Sequence, residues 1–155
     1  MPKTETAYFA AGCFWHVEGS FMKIPGVIET EVGYMGGDDP NPSYEAVCSD
    51  KTGHAETTKV VFDPERVTYD DLLKIFFENH DPTTKDRQGL DVGTQYRSAI
   101  FYADEGQKEA AVKAKEELER SGKLGKNVVT EIAQAKDFYK AEDYHQKYYK
   151  KMGIL

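Results

Sequence analysis

The sequence predicts an α/β fold, a two-layer sandwich with helices laid on a mixed sheet. Three observations predict it. Short apolar or alternating runs such as ETAYFAA, VIETEVGY and YRSAIFYA have the length and period of strands. They alternate along the chain with segments whose apolar residues recur at helical spacing, and glycine or proline punctuates the joins. No repeat or low-complexity tract interrupts the pattern, and 155 residues at 39% hydrophobic are enough for one compact core, expected to span 1–155 as a single domain.

The elements follow in order. Residues 5–11, ETAYFAA, form a strand that stops at Gly12, and from Cys13 the residues Phe14, Val17, Phe21 and Ile24 repeat at helical spacing until Pro25-Gly26. VIETEVGY alternates as a second strand before the turn-rich stretch from Met35 to Ser43. A third strand is expected over Ala55 to Phe62, closed by Asp63-Pro64. Thr68 is placed to cap a helix with Asp70 and Asp71 in its first turn, running through LLKIFFENH towards Pro82. Thr83 to Thr94 is polar and long enough for a functional loop, and YRSAIFYA follows as a strand. Residues 105–121 read as a charged amphipathic helix ending at Gly122, anchored by Val112 and Leu118. Asn127 to Ala133 is expected as a last strand, and Asp137 to Lys151 as a terminal helix or helical tail.

Charge narrows the function classes. Twenty basic against 27 acidic residues leave a net charge of -7, which repels nucleic acid and anionic membranes unless a basic patch overrides it. The nearest candidate, Lys147 with Lys150 and Lys151, is interleaved with tyrosines and reads as a solvated helix face. MPKTETAYFAAG is too short and polar for a signal peptide, and no apolar run approaches the ~20 residues of a membrane span, so a cytoplasmic protein is expected. Cys13 and Cys48 make neither a disulfide scaffold nor a zinc-ligand spacing, and no metal is expected.

Cys13 is the chemical feature. It precedes Phe14 and Trp15, the chain's only tryptophan, at a strand-to-helix turn. A thiol there lies near unpaired N–H groups and the positive end of the helix dipole, which favours thiolate. The alternative is an inert core thiol with two core aromatics beside it. Three adjacent residues share one pocket only at a helix end, where a ligand approaches.

GCFW with Glu18, GYMGG (33–37), PSYEAVCS (42–49), TGHAE (52–56), FENHDPT (77–83), GTQYRSAIFY (93–102) and AEDYHQKYY (141–149) occur in fixed order. Together they resemble the A-type peptide-methionine sulfoxide reductases from about Tyr8 to about Tyr149. The resemblance implies a single catalytic domain with a ferredoxin-like core that reduces the S-epimer of methionine sulfoxide, free or in proteins, with no bound metal or organic cofactor. It implies Cys13 as nucleophile, Phe14 and Trp15 as walls around the substrate S-methyl, and Tyr44, Glu56, Asp91 and Tyr96 around the sulfoxide oxygen. His145 and Tyr148 match a C-terminal pair near the same site.

The chemistry supports those roles. A sulfoxide sulfur is electrophilic but its oxygen leaves poorly, so thiolate attack requires protonation of that oxygen. Glu56 in an aromatic, poorly hydrated pocket has its neutral form favoured and serves as the acid. The Tyr44 and Tyr96 hydroxyls supply hydrogen bonds that strengthen as charge gathers on oxygen. By spacing alone Glu56 reads as a surface charge and Asp91 as a turn residue; the resemblance overturns both. His54 and His80 read as local hydrogen-bonding residues. Cys13 is expected to end as sulfenic acid.

Many relatives carry recycling cysteines in a C-terminal tail, whereas here no cysteine follows Cys48. Reduction of the sulfenic acid then falls to Cys48 as a possible resolving thiol or to an external one, thioredoxin, glutaredoxin with glutathione, or a small dithiol, with direct external attack favoured. A monomer is expected. A one-shot redox sensor and a thiol peroxidase remain as rival classes, separable by repeated turnover and by relative rates with peroxide.

Overall fold

Phe9 sits at the centre of the largest apolar cluster, and the strands and helices around it are those its neighbours in sequence dictate. The computed structural model describes residues 3–38, 40, 42–49 and 52–153. Its strands are β1 (Glu5–Ala11), β2 (Val27–Met35), β3 (Ala55–Phe62), β4 (Arg87–Gln88), β5 (Asp91–Val92), β6 (Ser98–Tyr102), β7 (Glu131–Gln134) and β8 (Tyr139–Lys140). Its helices are α1 (Phe14–Met22), α2 (Tyr44–Cys48), α3 (Tyr69–Glu78), α4 (Glu105–Arg120) and α5 (Tyr148–Lys151), with single 3-10 turns at Thr94–Tyr96 and Asp143–His145.

Six strands form one sheet in the order β7-β6-β1-β3-β2-β8, and β4 and β5 form a separate small hairpin. Only the β6–β7 pairing is parallel, which makes the sheet mixed. The succession β1-α1-β2-β3-α3-β6 with central order β6-β1-β3-β2 is the ferredoxin-like arrangement expected from the resemblance.

Alternation in β1 builds both faces. Ala7, Phe9 and Ala11 join Val17 and Phe21 of α1, Leu72, Leu73 and Phe76 of α3, and Ala111 of α4 in the core under the helices. Phe9 stacks on Phe21 at 5.0 Å and on Phe76 at 5.3 Å between centroids. Ala10 belongs to the opposite face with Met35, Ala55, Ala99 and Phe101, covered by Tyr8, Ala133, Ala135 and Phe138 rather than by a helix. Gly33 permits that cover, because a Cβ there would lie 2.4 Å from the Tyr139 carbonyl oxygen. The Thr68 cap forms as expected: its Oγ1 accepts the Asp71 N–H while Asp71 accepts the Thr68 N–H.

Several boundaries differ from expectation. The turn-rich stretch is followed by a short helix, α2, capped by the Ser43 hydroxyl on the Ala46 N–H; residues 39 and 41 of that stretch lie outside the described residues. YRSAIFYA begins its strand only at Ser98, since Thr94–Tyr96 coils as a 3-10 turn. The last expected strand is the short edge strand β7. Val112 is exposed on α4, whose buried positions are Gln107 and Ala111. The terminal helix over Asp137 to Lys151 does not form: the segment gives β8, a 3-10 turn and one helical turn. The reason is tertiary. The Gln146 amide accepts the Val32 N–H at 2.9 Å and donates to the Val32 carbonyl at 2.8 Å, bonds that hold the chain extended beside β2. Lys147 is therefore no part of a free solvated face; its Nζ donates to Glu29 and to the Thr30 carbonyl, both at 2.9 Å.

Candidate active site

The turn before α1 sets the site. Gly12 has φ +97°, a left-handed conformation costly for other residues, and a Cβ there would lie 2.9 Å from Gln88 Cγ. Cys13 follows as the extended N-cap of α1 with no side-chain capping bond, leaving its half-buried thiol uncommitted. The Trp15 and His16 N–H groups lower its pKa as the helix-end argument anticipates, but burial and then the charge of Glu56 outweigh them and push the thiol up to about 11. The expected bias towards thiolate is thus reversed, first by burial and further where Glu56 is ionised.

Glu56 stands on β3 opposite Tyr34 of β2 and is 1% exposed. Its Oε1 accepts the Phe14 N–H at a long 3.3 Å, and its Oε2 has no partner among the described residues. Burial, assisted by the charge of Asp91 and opposed by the Phe14 N–H, lifts its pKa to about 8, so it carries its proton at neutral pH.

Aromatic rings gather beside this pair. Phe14 lies 5.8 Å from Tyr34 and 5.1 Å from His145; Trp15 stacks on Tyr148 at 3.8 Å with planes 12° apart. Trp15 Nε1–H donates to His145 Nδ1 at 3.0 Å, and Tyr44 packs 4.4 Å from the same imidazole. Burial lowers the His145 pKa, and accepting at Nδ1 puts its proton on Nε2, a second buried atom without a partner among the described residues. Burial first, then the adjacent Cys48 thiol, drives the Tyr44 phenol upward; burial and the charge of Glu56 lift Tyr96 to about 12. Both phenols hold their protons and are donors.

Residues that sequence reasoning passed over hold these rings in place. Glu142 accepts from the Tyr34 hydroxyl and from the Tyr44 N–H, each at 3.0 Å, tying β2 to α2. Glu18, 1% exposed, accepts the Thr30 hydroxyl at 2.8 Å and the Lys147 N–H at 2.7 Å. That second bond pins Lys147 at φ 53°, between His145 and Tyr148, and so fixes both on Trp15. Glu18 and Glu142 both stood in the motifs. Acidic residues in polar stretches read as solvated, so no local signal marked them as buried anchors.

Cys13, Phe14, Trp15, Tyr44, Glu56, Tyr96, His145 and Tyr148 therefore converge. Two expected residues stand apart. Asp91 is exposed on β5 and reaches Cys13, Glu56 and Tyr96 through its charge. Cys48, at the end of α2, is an exposed free thiol beside Tyr44, not joined to Cys13. His54 Nδ1 accepts the Gly37 N–H, and His80 bridges the Phe76 carbonyl and the Ser98 hydroxyl, local roles as expected. No group of three or more His, Cys, Asp or Glu side chains able to hold a metal occurs among the described residues, and no helix among them is long and apolar enough to cross a membrane.

Comparison with known proteins gives the site a context. The family described as peptide methionine sulfoxide reductase matches residues 5–153. A peptide methionine sulfoxide reductase MsrA of Methanosarcina mazei is 58% identical over 151 residues, 97% of this chain and 72% of the relative. The structure of reduced Mxr1 from Saccharomyces cerevisiae superposes with a TM-score of 0.91 at 37% identity, covering 99% of this chain and 88% of the other. Mxr1 in complex with Trx2 gives a TM-score of 0.67 at 28% identity, covering 94% and 85%.

Proposed function

This chain belongs to the peptide methionine sulfoxide reductase family and reduces methionine sulfoxide, and we propose that it does so through Cys13 as nucleophile and Glu56 as acid. One observation carries the assignment: a buried carboxyl with an oxygen that no described residue partners, beside a half-buried thiol that makes no capping bond. A buried carboxyl with an oxygen left unmatched is costly for a structural residue and is the setting of a group that works as an acid.

Glu56 gives its proton to the sulfoxide oxygen as Cys13 Sγ adds to the sulfur, and the thiol proton passes to the carboxylate so formed, so the carboxyl ends as it began. Taking up the thiol proton discharges the carboxylate whose charge would oppose formation of a thiolate beside it, which couples the two transfers. The Tyr44 and Tyr96 hydroxyls donate to the oxygen while charge builds on it. The S–O bond and the new Sγ–S bond then break as the hydroxyl passes to Cys13 Sγ, and the sulfur leaves with the freed electron pair as the sulfide of methionine: thiol plus sulfoxide gives sulfenic acid plus sulfide. Phe14 and Trp15, the latter braced by His145 and Tyr148, enclose the S-methyl and select the S-epimer by shape. Asp91 sustains the raised pKa of Glu56. The whole chain acts as one catalytic domain.

A thiol from outside returns Cys13 to its reduced state. The solved complex of yeast Mxr1 with Trx2 supports a thioredoxin-type partner, with glutaredoxin, glutathione or a small dithiol as chemical equivalents. Cys48 is the alternative internal thiol. Intact mass after anaerobic exposure to the S-epimer without reductant tests the reading, with the R-epimer and Cys13→Ser as controls. One added oxygen on the S-treated protein is expected. Loss of two hydrogens would assign Cys48 as resolver, and turnover by Cys13→Ser would refute the assignment.

A further inference from the structure

The β4–β5 hairpin carries two apolar side chains that the core does not use. Leu90 is 99% exposed and Val92 67% exposed, on either side of Asp91. The Gln88 side chain of the same hairpin packs on Gly12, next to Cys13, so the apolar pair stands at the edge of the site, where the charge of Asp91 also reaches Cys13 and Glu56.

The tip is held rigidly from below. Gln88 Oε1 accepts the Asp81 N–H at 3.0 Å and its Nε2 donates to the Asp81 carbonyl at 2.6 Å. Thr84 Oγ1 donates to the Arg87 carbonyl, and the Gly93 N–H donates to the Asp86 carbonyl, each at 2.8 Å. The Gln88 stem rests against Gly12, the residue before Cys13. Such bracing keeps Leu90 and Val92 in water, and a partner that covers them does not have to order the loop. Across the site, the exposed Tyr144 packs its ring 4.1 Å from that of His145.

We propose that Leu90 and Val92 form an apolar lip that docks the polypeptide carrying the methionine sulfoxide, favouring apolar residues next to the oxidised side chain. The inference rests on the reduction site proposed at Cys13. A methionine side chain is short, so its reduction there brings the flanking backbone to the rim. Methionine is mostly a core residue with apolar neighbours, and its oxidation puts a polar group among them and loosens the segment. The polypeptide presented is thus apolar and partly unfolded, a match for exposed aliphatic carbon. On the hairpin the exposed Lys85 and Arg87 offset Asp86 and Asp91, whereas Glu45 and Asp143 on the segments opposite leave that side acidic and disfavour acidic neighbours.

The test compares kcat/KM for free S-methionine sulfoxide with that for blocked tripeptides carrying the sulfoxide between two leucines or two aspartates, dithiothreitol serving as reductant. The unaltered protein is expected to favour the leucine-flanked peptide over the aspartate-flanked one. The L90S/V92S double variant is expected to lose about five- to tenfold on the leucine-flanked peptide and nothing on the free amino acid. An unchanged peptide rate, or an equal fall on the free substrate, overturns the proposal. So does a loss seen only when thioredoxin replaces dithiothreitol, which would make the lip a reductant contact. Failure of the unaltered protein to turn over free substrate would instead sink the reading of the Cys13 site.

Discussion

Glu18 on α1 and Glu56 on β3 are equally buried carboxyls, and they are bonded in opposite ways. Both oxygens of Glu18 are occupied, one by the Thr30 hydroxyl and one by the Lys147 N–H. Among the described residues Glu56 has a single long bond, from Phe14, and an oxygen with no partner. Burial alone therefore does not identify a reactive acid. What separates the anchor from the acid is whether the low-dielectric setting has been matched by donors.

The largest effect that can break the comparison is expected at Glu56. Glu56→Gln removes the proton donor while keeping the shape, and kcat is expected to fall by about 10²- to 10⁴-fold. In the unaltered protein kcat/KM should decline as pH rises through about 8, where Glu56 ionises, and a pH-rate profile of Glu56→Gln should lack that limb. Stability follows the same group. The folded state keeps the Glu56 proton to about 8 whereas an ordinary glutamate loses it near 4.5, so stability is full below 4.5 and is lost as pH rises through that window. Denaturant titrations across pH should show the decline, flattened in Glu56→Gln. A profile unchanged by the substitution would make the two glutamates equivalent.

Glu18 should answer in stability and geometry rather than in chemistry. Glu18→Ala strands the Thr30 hydroxyl and the Lys147 N–H, at a cost of about 2–4 kcal/mol. It also frees His145 and Tyr148 from Trp15, so KM should rise several-fold with kcat less affected, and the fluorescence of the single tryptophan should shift. Glu18→Gln, which keeps an acceptor for Lys147, should restore most of both. A kcat loss as large as that of Glu56→Gln would erase the distinction.

The smallest effect is expected at Cys48, which sharpens the comparison from outside. Cys48→Ser keeps a hydroxyl beside Tyr44, and steady-state turnover with a small dithiol should stay within about twofold of the unaltered protein, since an exposed thiol not joined to Cys13 is dispensable when reductant comes from solution. A large loss confined to protein reductants would restore Cys48 as resolver.

The sequence by itself determined the local elements. Short apolar or alternating runs placed β1, β2 and β3, the Thr68–Asp71 pattern started α3, and Gly12 with Cys13 marked the start of α1, because each signal rests on residues within a turn or two of one another. Motif resemblance supplied the site residues as a set. Tertiary structure alone decided how they are held and charged. Gln146 bonding to Val32 overrode the helical reading of the C-terminus, and Lys147 was drawn into a left-handed conformation by Glu18, 129 residues away. The same holds for Cys13, whose helix-end position favours the thiolate locally. The burial of the thiol and the charge of Glu56, which stands on a separate strand, outweigh that preference. Electrostatic energies depend on distance in space and on lost solvent, neither of which is written in residue order.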